Sequence, residues 1–276
     1  MTYETVMVNM RLGHANSDLL RLTSTIVRDF NAGVIGLAAC QLAPMINSDG
    51  YSPGPYIAEE SKAIGAELDA AEAEFKHFFA SRGKDTRWLS ATLVEPVADF
   101  VSRVCHSADL VITTGLSFDR LKSVRSNNPA GIVMQAGRPV LIVPSETSTN
   151  RFDRVVIAWK NTREARRAVA DAVPLMKKAT LIHVVEIAPE DQRVIKTQQL
   201  SEVCSWLETH DIVGRPMFVP RGKGDDGYQL NKVVQKLDTD LVVAGAYGHN
   251  RFREWALGGV TEDLTLQAEY CTLLAH

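Results

Sequence analysis

Along the chain, short apolar runs of strand type alternate with longer stretches whose apolar residues recur every three or four positions. That alternation predicts parallel strand–helix–strand units, because joining two parallel strands takes a helix-sized crossover. The pattern is cleanest in the second half. RVVIAW (154–159) is a compact strand, and Asn161 with Glu164 three residues later has the spacing of a helix capping box. Ala165, Ala168, Val169, Ala172, Val173 and Met176 give the following helix one apolar face. TLIHVVEI (180–187) is the second strand and 192–209 a helix; PMFVP (216–220) is the third strand and 228–237 a helix. DLVVAG (240–245) then leads into a glycine-bearing loop, a short helix and the last strand, YCTLLAH (270–276).

The first half repeats this order. TVMVNM (5–10) is a strand, and 17–30 a helix with Leu19, Leu22, Ile26 and Phe30 turned inward. GVIGLAAC (33–40) precedes a loop rich in Pro, Gly and Ser (42–55) and a long helical stretch, 56–82, placed to cover the cleft of this half. TRWLSATL (86–93), a helix near 95–106, ADLVITTG (108–115) and GRPVLIVP (137–144) complete it. ADLVITTG parallels TDLVVAGA (239–246) at an offset of 131 residues, too long a period for a solenoid. The reading is therefore an α/β fold: two doubly wound, open parallel-sheet domains of Rossmann-like type, five strands each, in tandem. SETSTNR (145–151) is the seam, so the domains are 1–147 and 148–276. The strands 137–144 and 270–276 would each leave an unpaired edge, which predicts that the two halves join there within one chain.

Open sheets of this type bind ligands beyond the carboxyl ends of their strands, where strand order reverses. The loop GAYGHNRFREWALGGVT (245–261) leaves such an end and carries Gly245, Gly248, Gly258 and Gly259. A plain strand-to-helix connection usually takes about 2–6 residues. This one is longer, and spaced glycines before a helix let a backbone approach phosphate closely.

Composition narrows the classes. Of the 276 residues 45% are hydrophobic and 23% charged, with net charge −3, which gives no electrostatic footprint for nucleic acid. No apolar run reaches the roughly 18 residues of a membrane span, and the N-terminal residues lack the pattern of a signal peptide. Cys40, Cys105, Cys204 and Cys271 show no zinc spacing and read as reduced, buried thiols of a cytoplasmic protein. His14, His77, His106, His210 and His276 form no metal-binding spacing; His183 reads as a satisfied strand histidine, and His249 is the one best placed to meet a phosphate. No nucleophile–base constellation is visible, so a catalytic role has no residues to carry it.

The loop and strand order resemble the universal stress protein A family, whose nucleotide-binding members carry Gly-x2-Gly-x9-Gly-(Ser/Thr). Gly245-x2-Gly248-x9-Gly258 matches that spacing, with Gly259 at the Ser/Thr place and Val260 and Thr261 continuing the run. With the duplication, the chain looks like a tandem member. The resemblance implies a stress-response protein that binds ATP, with Mg²⁺ accompanying it, and no defined reaction. Carried over, Ala158, Trp159 and Lys160 flank base and ribose, and Val184 or Val185 lies beneath the adenine. Ala244, Gly245 and Gly248 follow the ribose and phosphates, and Gly258, Gly259, Val260 and Thr261 offer backbone N–H groups at a helix start. Family members of one domain pair as dimers, which implies an intramolecular pseudo-dimer here and allows a homodimer of whole chains.

Departures from the pattern bear on the ligand. The family usually ends its first strand with Asp, whereas Lys160 is a donor only. Trp159 either stacks on a base or fills the cleft. In the first half, Thr114 and Ser117 replace the first two glycines and Asn127-Asn128 the last pair, Met10 and Arg11 supply no carboxylate, and Pro129 removes an N–H. No ordinary triphosphate site is expected there. The alternatives to nucleotide binding are a scaffold or small-ligand sensor whose site has decayed and, less favoured, a slow ATPase.

Overall fold

The computed structural model describes residues 2–42, 54–115, 127–223, 225–246 and 270–276. The apolar runs become strands within a few residues of their sequence bounds. In chain order the first half holds β1 (Thr5–Asn9), α1 (Ser17–Phe30), β2 (Gly33–Gln41), α2 (Gly54–Phe79), β3 (Thr86–Leu93), α3 (Val97–Val104), β4 (Leu110–Thr114), α4 (Pro129–Gln135) and β5 (Val140–Val143). The second holds β6 (Arg154–Ala158), α5 (Arg163–Met176), β7 (Leu181–Ala188), α6 (Arg193–Glu208), β8 (Gly214–Pro220), α7 (Asp226–Lys236), β9 (Leu241–Gly245) and β10 (Cys271–Ala275).

The ten strands among the described residues form one sheet in the order β3-β2-β1-β4-β5-β10-β9-β6-β7-β8. Each half has the same internal order, its first strand lying between its second and fourth. Neighbours run parallel except β5 and β10, which pair antiparallel with Leu141 opposite Leu273. The edges expected at 137–144 and 270–276 are thus satisfied by each other. β3 and β8 remain as the outer edges, and β8 carries Pro216 and Pro220, residues that blunt an edge because they donate no hydrogen bond.

Strand alternation sorts the core into two layers. Val6, Val8, Val155, Ile157 and Val243 face α1, α2, α5 and α6, while Met7, Val156, Val242 and Ala244 face α3, α4 and α7. Central strands buried on both faces need continuous apolar runs, which is why these segments lack polar alternation. The apolar stripe of α5 is inward as expected: Ala165, Ala168, Val169, Ala172, Val173 and Met176 are all buried. On α1, Leu19, Leu22 and Ile26 are buried, and Phe30 packs against the same core. On α2, Phe75 and Phe79 are fully buried and pack with each other, and Phe75 also packs against Trp88 of β3.

One boundary differs from expectation. The N-cap of α5 is Thr162, whose hydroxyl accepts from Ala165 N at 3.2 Å. Asn161 instead accepts from the Arg166 guanidinium at 2.7 Å. Both residue types can cap, and only the backbone turn decides which of two neighbours holds the extended cap conformation. The stretch expected as the seam is tied down: Arg21 of α1 donates to Thr147 O (2.6 Å) and Asn150 Oδ1 (2.9 Å), and Asp18 accepts from Thr147 N. Tyr3 of the first half donates to Asp171 O on α5 at 2.7 Å.

Candidate functional site at the β6–β9 switch point

In the second half β6 lies between β7 and β9, so strand order reverses at β6. Ala158 stands in register with Ala244, which puts the carboxyl ends of β6 and β9 side by side. Crossovers leaving such ends depart in opposite directions and leave a crevice. The backbone is exceptionally close here. An ideal Cβ on Gly245 would lie 2.3 Å from Ala165 N and 2.6 Å from Glu164 C, so only glycine lets the end of β9 lie against the first turn of α5.

The other expected site residues divide by face. Val184 faces the α5–α6 layer and Val185 the α7 layer, both fully buried, so at most one of them can lie beneath a single base. Ala158 and Ala244 share the α7 side. Trp159 continues β6 through a bond from its N to Val185 O (2.8 Å), and its side chain, 9% exposed, belongs to the α5–α6 core. Of the two roles left open for Trp159, the indole is thus embedded in the helical layer. Gly248, Gly258, Gly259, Val260 and Thr261, like His249, lie outside the described residues.

Lys160 is half exposed, and its ammonium stands 3.9 Å from Asp226 Oδ2 at the start of α7. The same carboxylate accepts two bonds from Arg221, Nε to Oδ1 (2.8 Å) and a terminal nitrogen to Oδ2 (2.9 Å). Arg221 is fixed from behind by its N–H to Ala188 O, which carries it past the end of β7. Two cations thus share the Asp226 carboxylate near the carboxyl ends of β6 and β7, and Asp225 beside it caps α7 by accepting from Tyr228 N (2.7 Å). From the sequence Asp226, with Asp225, reads only as a solvated turn or helix-start charge, and Arg221 carries no signal at all. His183 is buried on β7, and burial, helped by Arg215, holds its imidazole below the usual range.

The equivalent end of the first half is built differently. Asn9 of β1 donates to Thr113 Oγ1 and Asn127 Oδ1, both at 3.2 Å. Thr113 Oγ1 donates to Asn127 Oδ1 (2.9 Å), and Asn127 Nδ2 donates to Thr114 O (2.7 Å). All four residues are buried. Asn127, which stands at the place of Gly258, therefore ties the ends of β1 and β4 together by side-chain bonds. Among the described residues no group of His, Cys, Asp and Glu is arranged to hold a metal ion, and no helix is long and apolar enough to cross a membrane.

The whole architecture has solved counterparts. A universal stress protein from Archaeoglobus fulgidus DSM 4304 superposes with a TM-score of 0.73 at 15% identity, covering 98% of this chain and 95% of that one. A putative universal stress protein from Pseudomonas aeruginosa UCBPP-PA14 gives 0.60 at 14% identity, covering 99% and 93%. A functionally unknown protein from Pseudomonas aeruginosa PAO1 gives the same TM-score and identity, covering 99% and 92%. The fold is thus that of a full-length tandem universal stress protein. No protein-family model and no curated protein matches the sequence.

Proposed function

We propose that the chain is a tandem member of the universal stress protein family, divided near residue 147, and that its second half binds an adenine nucleotide, ATP with Mg²⁺. The observation that carries this reading is the meeting of Gly245 with the first turn of α5 at the β6–β9 switch point. A glycine required by geometry begins the Gly-x2-Gly-x9-Gly spacing, at the place where open α/β sheets hold ligands. In this reading Ala158, Trp159 and Lys160 contribute backbone to the base and ribose side, Ala244 and Val185 line the α7 side, and Val184 backs the opposite layer. Gly248, Gly258, Gly259, Val260 and Thr261 supply N–H donors for the phosphates.

Lys160 changes the chemistry rather than abolishing it. Lys160 and Arg221, on either side of Asp226, offer two cationic donors that suit phosphate oxygens. The chain binds and releases nucleotide without a residue set for hydrolysis, in a cytoplasmic setting. The two halves act as an intramolecular pseudo-dimer across β5 and β10. Equilibrium binding of labelled ATP tests the reading: saturable binding, lost on Gly248→Asp or Gly258→Asp and weakened about tenfold by Lys160→Ala, is expected. A charge-assisted hydrogen bond of about 1.5 kcal/mol corresponds to that factor. Absence of saturable ATP binding by the folded protein would remove it.

A second reading is a scaffold or small-ligand sensor without nucleotide. It gains from the first half, where Asn9, Thr113, Thr114 and Asn127 bond to one another at the strand ends.

A further inference from the structure

The second half blunts its outer edge and the first half leaves its own open. β3 and β8 are counterparts, each the third strand of its half and each at one end of the sheet. In a parallel ladder alternate residues turn both backbone groups toward the neighbouring strand, and the residues between them turn both away. Arg221 N, just past β8, donates to Ala188 O, which puts the odd-numbered residues of β8 on the β7 side. Its outward positions are therefore Gly214, Pro216, Phe218 and Pro220. Both prolines stand where an N–H would otherwise face an incoming strand.

The same reasoning applied to β3 gives the opposite result. Leu93 O accepts from Leu42 N at 2.8 Å, so Arg87, Leu89, Ala91 and Leu93 are the residues that bond β2. Thr86, Trp88, Ser90 and Thr92 turn their N–H and C=O groups outward, and none of them is a proline. The register with β2 runs unbroken from Thr86 to Leu93, with no bulge to twist the strand away. Arg87 is the one charged residue of the strand. Ser90 and Thr92 are exposed, Leu89 is 37% exposed, and among the described residues no strand pairs on this side.

We propose that β3 is a docking edge for a second copy of this chain: two β3 strands pair antiparallel about a two-fold axis at Leu89, and the sheet continues from one copy into the next. In this register Thr86 lies opposite Thr92 of the second copy and Trp88 opposite Ser90, so every outward position meets an outward position. Leu89 meets its own copy as a non-hydrogen-bonded pair, the closer kind, with Cα atoms about 4.5 Å apart. That contact covers apolar surface now open to water. Arg87 lies opposite Ala91, four positions along the strand from its copy or about 14 Å, so the strand opposes no like charges. A second copy is the occupant because the edge complements itself at each of these positions, as a two-fold interface requires. The same antiparallel pairing, β5 on β10, already joins the two halves of the chain.

Sedimentation equilibrium of the full chain at micromolar concentration makes the test, and the mass of two chains is expected. Ser90→Pro removes an outward N–H without costing a bond to β2, and Leu89→Lys sets two ammonium groups opposite each other. Both variants are expected to sediment as monomers with the circular dichroism of the parent chain. Leu89→Cys checks the register. The four native cysteines are buried, so the new thiol is the accessible one, and its Cα separation from its copy suits a disulfide. Oxidised Leu89→Cys should run as a covalent dimer, while Thr92→Cys, opposite Thr86, should not. The edge lies at the far end of the sheet from β6 and β9, so the outcome is independent of ATP binding. A monomeric parent chain, a dimer that survives in folded Ser90→Pro or Leu89→Lys, or a Leu89→Cys chain that stays uncrosslinked would each overturn the proposal.

Discussion

Gly245 and Ala165 meet backbone to backbone: a Cβ on Gly245 would sit 2.3 Å from Ala165 N. A carbon cannot occupy that position unless β9 or the first turn of α5 moves. Gly245→Ala is therefore expected to destabilise the protein by about 2 kcal/mol or more, in the range of core overpacking. Urea unfolding measures it; a loss below about 0.5 kcal/mol, the size of a neutral surface change, would show that α5 yields freely.

The cap of α5 gives a paired prediction. Thr162→Ala removes the acceptor for Ala165 N and should cost about 1 kcal/mol. Asn161→Ala should stay within about 0.5 kcal/mol, because its exposed side chain bonds the Arg166 guanidinium rather than a helix N–H. Thermal denaturation of the two variants side by side distinguishes them, and the reverse ranking would return the cap to Asn161.

The joint between the halves rests on Leu141 and Leu273, opposite each other on β5 and β10 and both fully buried in one core layer. Each change to Ala should cost about 2–4 kcal/mol. Because the pair shares neighbours, the double variant should depart from additivity by at least about 0.5 kcal/mol. Strict additivity in a double-mutant cycle would contradict the shared packing.

The thiols predict both reactivity and alkaline stability. Burial pushes Cys271 up to about 12, with Asp240 adding to it, and burial raises Cys105 and Cys204 as well. In the native protein these thiols should react with Ellman's reagent at about pH 8 far more slowly than after denaturation, since the thiolate is the nucleophile. A folded value above the unfolded one, about 8.5, means the stabilisation is complete below that pH. It is lost as pH rises from there toward about 12. The urea midpoint should fall over that window, and Cys271→Val should flatten part of the fall; an unchanged slope would exclude Cys271 as a contributor.

Much of the architecture was legible because it is written in local periodicity. The strand TRWLSATL emerges as β3 over Thr86–Leu93, and the helix 17–30 as α1 over Ser17–Phe30. The 131-residue repeat of ADLVITTG anticipated the identical strand order of the two halves. Among the candidate site residues, Gly245 was marked by its spacing, and its requirement for glycine has a visible cause in α5. The meeting of Lys160 and Arg221 with Asp226 was not. They come from elements far apart in sequence, and a charge near a turn carries no local mark of what it will face.

The sequence by itself determined which segments are strands and helices, their order, and which residues of α5 turn inward, because side-chain period follows from backbone geometry alone. Only the tertiary structure decided that β5 meets β10, that Thr162 rather than Asn161 caps α5, and that Val184 and Val185 back opposite layers in named company. It also decided that Lys160 faces Asp226 and that the Trp159 indole belongs to the α5–α6 core. Those are distances between residues brought together by packing, and packing is settled by the whole core at once rather than by any one segment.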